Sequence, residues 1–567
     1  MIKPMPARTV PILIAPLLAA ALLAAAMPTG PAPDLTHALE SIDAGRIRSD
    51  LKFLADDLLE GRGTGQRGGH LAALYLETRF RQLGLEPAVA GDSFLQEVPL
   101  VGIETQPESR LVFTAGAERL EPRMLEEYVA NTETQKETEE IAAPLVFVGY
   151  GIVAPEFDWN DFKAADVRGK VLVMLVNDPP SEDPALFGGK ALTYYGRWTY
   201  KYESAARAGA LGAILIHTDQ SAGYGWNVVR NSWGRERPYV ALGPKSPRPL
   251  AIAAWVSEPF GRTLLQKAGQ NFDALREAAA RRDFRPVPLD VRLESHLVTR
   301  VRTLTTWNVL GFLRGSDPKL RDQIVVYSAH YDHLGRGAAE DGDDIYNGAA
   351  DNASGVATML EVARAFTTMP KRPRRSLLFF ACAAEEGGLR GSEYYVSHPV
   401  VPTRLTVADI NLDVTPVWGE PRDFTFLGAD RSSLRDVVQE ASRLLGFKVV
   451  TDPHPEQGSF YRSDQFNFAK FGIPAFSLDP GLDYIGKPAG YGAKIWDEYE
   501  EKRYHRPKDE YDPAFDLSGS AATARIALYV GDRVAEGAAI PTWNEGDEFA
   551  ATRRGDLASH DHPPAQR

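Results

Sequence analysis

The stretch Ile324-Val-Val-Tyr-Ser-Ala-His330 predicts a buried strand that ends at a polar side chain. Its apolar run is short and rich in β-branched residues, which is typical of a strand covered on both faces. In open α/β sheets, binding and catalytic sites form beyond the carboxyl ends of the strands. The stretch therefore predicts both the sheet and the edge at which a site would form.

The alternation of strand and helix continues along the rest of the chain. Further strand-like runs lie at 377–383, 407–412 and 475–478, and helical periodicity appears at 356–366 and 434–445. Such alternation indicates an α/β fold with a mostly parallel central sheet flanked by helices.

Imidazole and carboxylate groups collect where these predicted strands end. The candidate residues are His330, Asp351, Glu385, Glu386, Asp413 and, in a later polar loop, His505. A pair of hydrolytic divalent ions about 3.5–4 Å apart needs such ligands and one group that bridges both ions. The one cysteine, Cys382, lies in an apolar run, which excludes a thiolate site and favours zinc, with cobalt or manganese as substitutes.

Two neighbouring groups refine this interpretation. Asp332, two residues after His330, is placed to hold the second nitrogen of that histidine. The adjacent carboxylates Glu385 and Glu386 would repel each other without a cation, so one can bind metal while the other faces a bound water.

Each candidate also has an ordinary structural explanation. A single histidine at a strand end is usually structural, Asp351 could be a helix N-terminal residue favoured by the dipole, and Asp413 could belong to a turn. Because these imidazole and carboxylate side chains recur after successive strands, we favour a common role for them in one site. His333 either lines the site or faces solvent, and we favour the second interpretation. Asp464 is either a helix cap or a partner behind the site.

Several segments resemble the di-zinc aminopeptidase family, which includes secreted bacterial leucyl aminopeptidases and, more distantly, glutamate carboxypeptidase. These segments are His330-Tyr-Asp-His-Leu-Gly, Asp351-Asn-Ala-Ser-Gly, Ala384-Glu-Glu-Gly-Gly-Leu-Arg-Gly-Ser, Asn411-Leu-Asp and Tyr504-His-Arg-Pro-Lys-Asp. The resemblance implies a zinc-exopeptidase-like fold, two zinc ions per chain and peptide substrates. The region 144–259 resembles a protease-associated (PA) domain inserted into the peptidase domain.

The same resemblance implies individual roles for the site residues. Asp351 would bridge the two metals, with His330 and Asp413 completing one site and Glu386 and His505 the other. Glu385 would be the general base, and Tyr504 would stabilise the oxyanion. The stretch Arg462-Ser-Asp-Gln-Phe departs from the family pattern, which usually has His where Gln465 stands.

The pattern of residues at the start of the chain is typical of a signal peptide. Lys3 and Arg8 precede an apolar run from Val10, and the small residues Ala24 to Ala26 offer a cleavage site. We predict a signal peptide at 1–26, the N-terminal part of the peptidase domain at 34–140 and an inserted PA-like domain, smaller and α/β or β-rich, at 141–290. The main zinc peptidase domain follows at 291–543, and a disordered tail at 544–567.

These features predict an exported protein, periplasmic or secreted, without stable membrane insertion after cleavage. The net charge of -13 argues against a nucleic-acid partner, because binding to phosphates favours proteins with clustered Lys and Arg side chains. The oligomeric state stays unknown.

The predicted activity is that of an aminopeptidase that uses metal-activated water. A carboxypeptidase or dipeptidase on the same scaffold stays an open alternative, because the same metals can cleave from either end. The complete ligand set disfavours a receptor-like protein without metals and a one-metal glutaminyl cyclase.

Overall fold

The computed structural model describes residues 32–244 and 246–553. Its main body is built on one sheet whose four central strands run parallel. The strands, in order across this sheet, are Lys448–Val450, Asp423–Leu427, Ala475–Pro480, Thr406–Asn411, Ile324–His330, Ser376–Cys382, Val287–Leu313, Leu95–Thr105 and Arg237–Val240. The predicted α/β class with a mostly parallel central sheet is confirmed.

Helices cover both faces of this sheet. Along Ile324–His330, Val325 and Tyr327 face one apolar cluster while Ile324 and Val326 face another, as the alternation of a strand requires. The helices of the chain are Pro33–Glu40, Ala44–Leu54, Arg67–Gln82, Trp198–Arg207, Asp219–Ala222, Trp226–Trp233, Glu258–Lys267, Phe272–Ala279, Gly355–Thr368, Arg390–Ser397, Leu434–Leu445, Gln465–Lys470, Tyr491–Lys502 and Ser518–Glu536.

The only cysteine lies inside one of these clusters. Cys382 is fully buried, and burial raises the pKa of its thiol well above the ordinary value. It therefore serves as a packing residue of the central sheet.

The spacing of apolar residues from Asp34 to about Leu100 predicts helices, and the structure of the N-terminal region differs in part from this prediction. Three helices do form, but Leu95–Thr105 is a strand. Its buried positions include Val98 and Leu100, two residues apart, which is the period of a strand. The pattern between 95 and 105 was thus assigned to the wrong period.

A second body, here called the module, has its own sheet and core. Its strands, in order across the sheet, are Tyr128–Asn131, Ile252–Val256, Gly212–Ile216, Val171–Leu175, Thr138–Phe147, Val287–Leu313, Arg110–Ala115 and Glu118–Leu120. The long strand Val287–Leu313 therefore runs through both sheets and joins the two bodies.

The boundaries of the module differ from the predicted 141–290. Leu111, Phe113 and Tyr128 belong to its core, and the shared strand pairs within its sheet up to Val298. Sequence patterns underestimated the module because its first strands are short and lie before the region of regular alternation. The assignment of the module as PA-like stays a prediction.

The two chain ends bear on the remaining predictions. The signal peptide at 1–26 lies outside the described residues. The segment 544–553, expected to begin a disordered tail, packs on the main body: Phe549 is buried, and Arg431 forms ion pairs of 2.8 Å with Asp547 and Glu548. Among the described residues, no helix has both the length and the apolar character needed to cross a membrane.

Candidate metal centre

Loops that follow the central strands bring six predicted residues together at the carboxyl edge of the sheet. His330 is the last residue of its strand, and Asp413 lies two residues after the end of Thr406–Asn411. Asp351 precedes the helix Gly355–Thr368, whereas Glu385 and Glu386 follow Ser376–Cys382. His505 comes from the loop after Tyr491–Lys502.

The two carboxylate oxygens of Asp351 face two different histidines. Its Oδ1 lies 3.2 Å from Nε2 of His330, and the same nitrogen lies 3.2 Å from Oδ1 of Asp413. Its Oδ2 lies 3.3 Å from Nε2 of His505, which is 3.1 Å from Oε2 of Glu386. The site therefore has two halves that share the Asp351 carboxylate.

These separations fit the edges of a metal coordination sphere. Tetrahedral bonds to zinc of about 2.0–2.1 Å place neighbouring ligand atoms about 3.3 Å apart. His330, Asp351 and Asp413 form one group that could hold an ion, and Asp351 and Glu386 belong to a second such group.

His333 does not face solvent as we expected. It is fully buried, and its Nδ1 lies 2.6 Å from Oε1 of Glu386. Neither ring nitrogen makes a hydrogen bond within the described residues. With Asp351 and Glu386, His333 forms the second metal-competent group, so it is a site residue that sequence reasoning missed. Its place in the quoted segment, three residues after His330, was the available signal.

Asp332 supports the site, but not in the way we predicted. The contact to Nδ1 of His330 comes from the backbone carbonyl of Asp332, at 3.2 Å. The carboxylate of Asp332 instead accepts hydrogen bonds from the backbone N–H of Glu385, at 3.2 Å, and from Thr64, at 2.6 Å. Asp332 therefore links the His330 loop to the loop of the glutamate pair.

The loop that carries Asp351 is held on both sides. The peptide bond between Asp351 and Asn352 is cis. The buried carboxylate of Asp509 accepts hydrogen bonds from the backbone N–H groups of Ala350 and Asp351, each at 3.0 Å. The side chain of Asn352 donates to the carbonyl of Leu412 at 2.9 Å and accepts from the N–H of Val414 at 3.0 Å. Asn352 thus fixes the Asp351 loop against the residues on either side of Asp413.

A buried arginine organises the backbone beneath the site. Arg62 is fully buried, and its guanidinium donates to the backbone carbonyls of Leu54, Tyr331, Asn347 and Gly348. Gly348 adopts a φ of 57°, and a Cβ there would lie 2.5 Å from the His333 ring. No periodicity or motif in the sequence signalled Arg62.

Charge and burial affect the two adjacent glutamates in opposite directions. Burial raises the pKa of Glu385 well above its ordinary value, although the charge of His330 opposes this. Burial also disfavours ionised Glu386, but the nearby imidazoles of His505 and His333 together outweigh it and hold the pKa of Glu386 below its ordinary value. Glu385 is farther from its imidazole, with Oε2 at 4.0 Å from Nε2 of His330.

Three further residues from the sequence analysis occupy distinct positions. Tyr504 is 44% exposed, and its ring stacks on that of His505 with 3.8 Å between centroids. Gln465 is buried away from the metal centre, accepting from Asn411 and donating to the carbonyl of Phe460, both at 2.8 Å. Asp464 is fully buried and accepts a hydrogen bond from Ser392 at 2.5 Å, which excludes a solvent-exposed cap.

Comparison with known proteins identifies the region that carries this centre. Residues 308–531 match the model of peptidase family M28. Aminopeptidase NAALADL1 of Mus musculus is 28% identical over 216 residues, covering 37% of this chain and 26% of that protein. Leupeptin-inactivating enzyme 1 of Streptomyces exfoliatus is 30% identical over 181 residues, covering 32% of this chain and 37% of that protein.

One similar solved structure is the aminopeptidase from Aneurinibacillus sp. strain AM-1, with a TM-score of 0.48 and 21% identity over 90% of this chain and 97% of that one. The matches to the two sequence relatives span about a quarter to two fifths of their lengths. His330, Asp351, Glu385, Glu386, Asp413 and His505 all lie between residues 308 and 531, the region of the chain that matches the model of peptidase family M28.

Proposed function

We propose that this protein is a zinc-dependent aminopeptidase that holds two zinc ions per chain. The observation that carries the proposal is the shared carboxylate of Asp351, whose two oxygens lie 3.2 and 3.3 Å from two different histidine nitrogens. A single-ion site would not need a carboxylate presented in this way to two separate ligand sets.

In this proposal His330 and Asp413 complete one zinc site, and Glu386 and His505 complete the other. The choice of His505 over His333 rests on the distances to Glu386. The 3.1 Å separation from His505 fits a coordination edge, whereas 2.6 Å from His333 fits a direct contact behind the ligand. His333 then orients Glu386, and the backbone carbonyl of Asp332 orients His330.

Glu385 is the proposed general base and Tyr504 the proposed oxyanion donor. When bound, the zinc ions would supply Lewis acidity and a water of lowered pKa. Glu385 lies next to both ligand sets without the short contacts of a ligand, so its carboxylate is free to take a proton and return it to the leaving amine. Tyr504, beside His505 and partly exposed, can turn its hydroxyl toward a bound carbonyl oxygen.

We infer an aminopeptidase rather than a carboxypeptidase or dipeptidase for two reasons. NAALADL1 and the Aneurinibacillus protein are both named aminopeptidases. Carboxylates at the rim of the site can also hold the ammonium group of a free N-terminus, an attraction that grows as water is excluded. The side-chain preference proposed here is for an uncharged first residue. The module, as a proposed PA-like domain, would shape access to the cleft.

The two adjacent glutamates should behave differently when replaced. Glu385→Gln should retain both zinc ions yet lose turnover by about 10²–10⁴-fold, because general-base catalysis typically contributes that much. Glu386→Gln should instead lose zinc, because it removes a ligand charge. Metal content and kcat measured on both variants test the assignment, and an exchange of the two phenotypes would reverse it.

Asp509 should affect metal affinity without touching the metal. Asp509→Asn replaces one acceptor oxygen by an N–H₂ group facing the amides of Ala350 and Asp351, so zinc affinity should fall by about 10–100-fold. Competition with a chelator measures this loss. The half-buried Asp512, whose carboxylate accepts a hydrogen bond from the N–H of Ala514 at 2.8 Å, provides a control, since Asp512→Asn should leave the affinity unchanged. Equal affinities of Asp509→Asn and wild type would contradict the supporting role.

The free amine of the substrate should matter strongly. Leucine, alanine and glutamate amides should be cleaved with a free N-terminus, and their N-acetyl forms should be cleaved far more slowly because acetylation removes the ammonium charge. The measurement is kcat/KM for each matched pair. Equal rates for blocked and free substrates would replace the aminopeptidase by the carboxypeptidase or dipeptidase alternative.

We also propose export, with cleavage near Ala26, on the basis of Lys3, Arg8 and the apolar run that follows. N-terminal sequencing of protein isolated from outside the cytoplasm should begin shortly after Ala26. Membrane-bound protein that retains Met1 would refute this proposal.

A further inference from the structure

A cavity of about 550 Å³ lies beside the metal centre, between the main body and the module. His333, Glu386 and Gly387 line it on the side of the metal centre. The module contributes aromatic walls that include Trp198 and Trp233. A substrate bound at the metal centre would therefore extend into this cavity on one side.

The cavity, here called the arginine cavity, is rich in positive charge. Arg197 of the module, Arg235 and Arg237 at the start of the main-sheet strand Arg237–Val240, and Arg462 of the main body all line it. Within residues 32–244 and 246–553, none of these four forms a salt bridge to a carboxylate. A fifth lining arginine, Arg302, is neutralised by Glu236 through hydrogen bonds of 2.6 and 3.1 Å. The other four charges thus face the cavity without a matching anion.

Burial of a guanidinium without a partner is energetically costly unless another contact compensates it. Nε of Arg197 is buried and makes no hydrogen bond in the described part of the chain. Burial and the like charge of Arg462 lower the pKa of Arg197 to about 10. Arg237 is partly compensated, because its guanidinium lies 5.3 Å from the ring centre of Trp198 and 4.5 Å from that of Trp233. Arg197 has no such compensation, and Arg462 beside it is exposed to solvent, so both keep donors available for an anion.

We propose that the arginine cavity binds a carboxylate of the substrate. The anions of a peptide are its acidic side chains and its C-terminus, and a guanidinium binds a carboxylate through two parallel hydrogen bonds. This inference rests on the proposed peptidase function and adds a substrate class to it. The enzyme prefers peptides that carry a negative charge beyond the scissile bond, either on an acidic residue or at the free end of a short peptide.

Two matched substrate pairs test the proposal. The first pair, Leu-Glu-amide and Leu-Gln-amide, differs only in the acidic side chain. The second pair, Leu-Ala and Leu-Ala-amide, differs only in the C-terminal carboxylate. In at least one pair, wild-type enzyme should show a kcat/KM at least about tenfold higher for the charged member, as charge-assisted hydrogen bonds imply. The pair that responds identifies which carboxylate is bound.

Variants connect the preference to the cavity. Arg197→Gln and Arg462→Gln should reduce the charged-to-neutral ratio about tenfold each, while Arg197→Lys should retain part of it. Arg168→Gln removes an exposed arginine elsewhere on the module, paired with Asp166 at 2.9 Å, and should keep the wild-type ratio. Equal wild-type kcat/KM within both pairs, or a ratio unchanged in the Arg197 and Arg462 variants, would overturn the proposal.

Leucine 4-nitroanilide separates this proposal from the proposed function. It carries a free amine and no carboxylate, so all these variants should still cleave it, which confirms that they are folded, and Arg168→Gln should cleave it at the wild-type rate. If wild type cleaves only N-acetylated peptides, the aminopeptidase assignment fails. The charged-to-neutral ratio measured on acetylated pairs then still decides for or against carboxylate binding.

Discussion

The packing of four carboxylates around two imidazoles is the constraint on which the site depends. Two unit charges of like sign about 4 Å apart repel by about 4 kcal/mol at the effective dielectric near a protein surface. A carboxylate oxygen of Asp351 lies within 4.8 Å of one of Asp413, and another pair of this kind joins Asp351 to Glu386. Asp351 is almost fully buried. Protonated histidines relieve part of the repulsion, and two divalent cations between the same atoms would relieve it more completely.

The loops that carry these charges are held in place by hydrogen bonds to backbone amides and carbonyls rather than by ion pairs. Parallel strands deliver His330, Glu385 and Asp413 to one edge, and Asn352 and Asp509 hold the Asp351 loop through amides and carbonyls. Arg62 binds only carbonyl oxygens, four of them, beneath the same loops. Because the strand Val287–Leu313 runs through both sheets, the module is also fixed relative to the site. That rigidity allows an arginine of the module to face the metal centre across one cavity.

Much of the main body could be predicted from the sequence. The strand Ile324–His330 and the helices after it have strong apolar periodicity. The polar residues that follow each strand end could be recognised in the sequence as one set of candidate site residues. Contacts between loops that are far apart along the chain could not be predicted from the sequence. Asp509 reaches Asp351 across 158 residues of chain, and Arg62 reaches Gly348 across 286. A lone buried arginine or aspartate leaves no periodic signal, so only the three-dimensional structure assigns its role.

The errors have physical causes of the same kind. His333 was interpreted as solvent-facing because a loop histidine usually is, whereas the close approach of Gly348 buries it against Glu386. Asp332 was placed correctly, but the loop turns its carbonyl rather than its carboxylate toward His330. The module begins at earlier strands because one long strand pairs with segments far apart in sequence. The errors at His333 and Asp332 thus concern which atoms of a correctly placed segment make contact.

The central claim is that one carboxylate is shared by two metal ions. Elemental analysis of the purified, fully active protein tests it most directly, together with the Asp351→Asn variant. We expect two divalent ions per chain in the active protein and reduced occupancy of both sites in the variant. At most one ion per chain in fully active protein would contradict it.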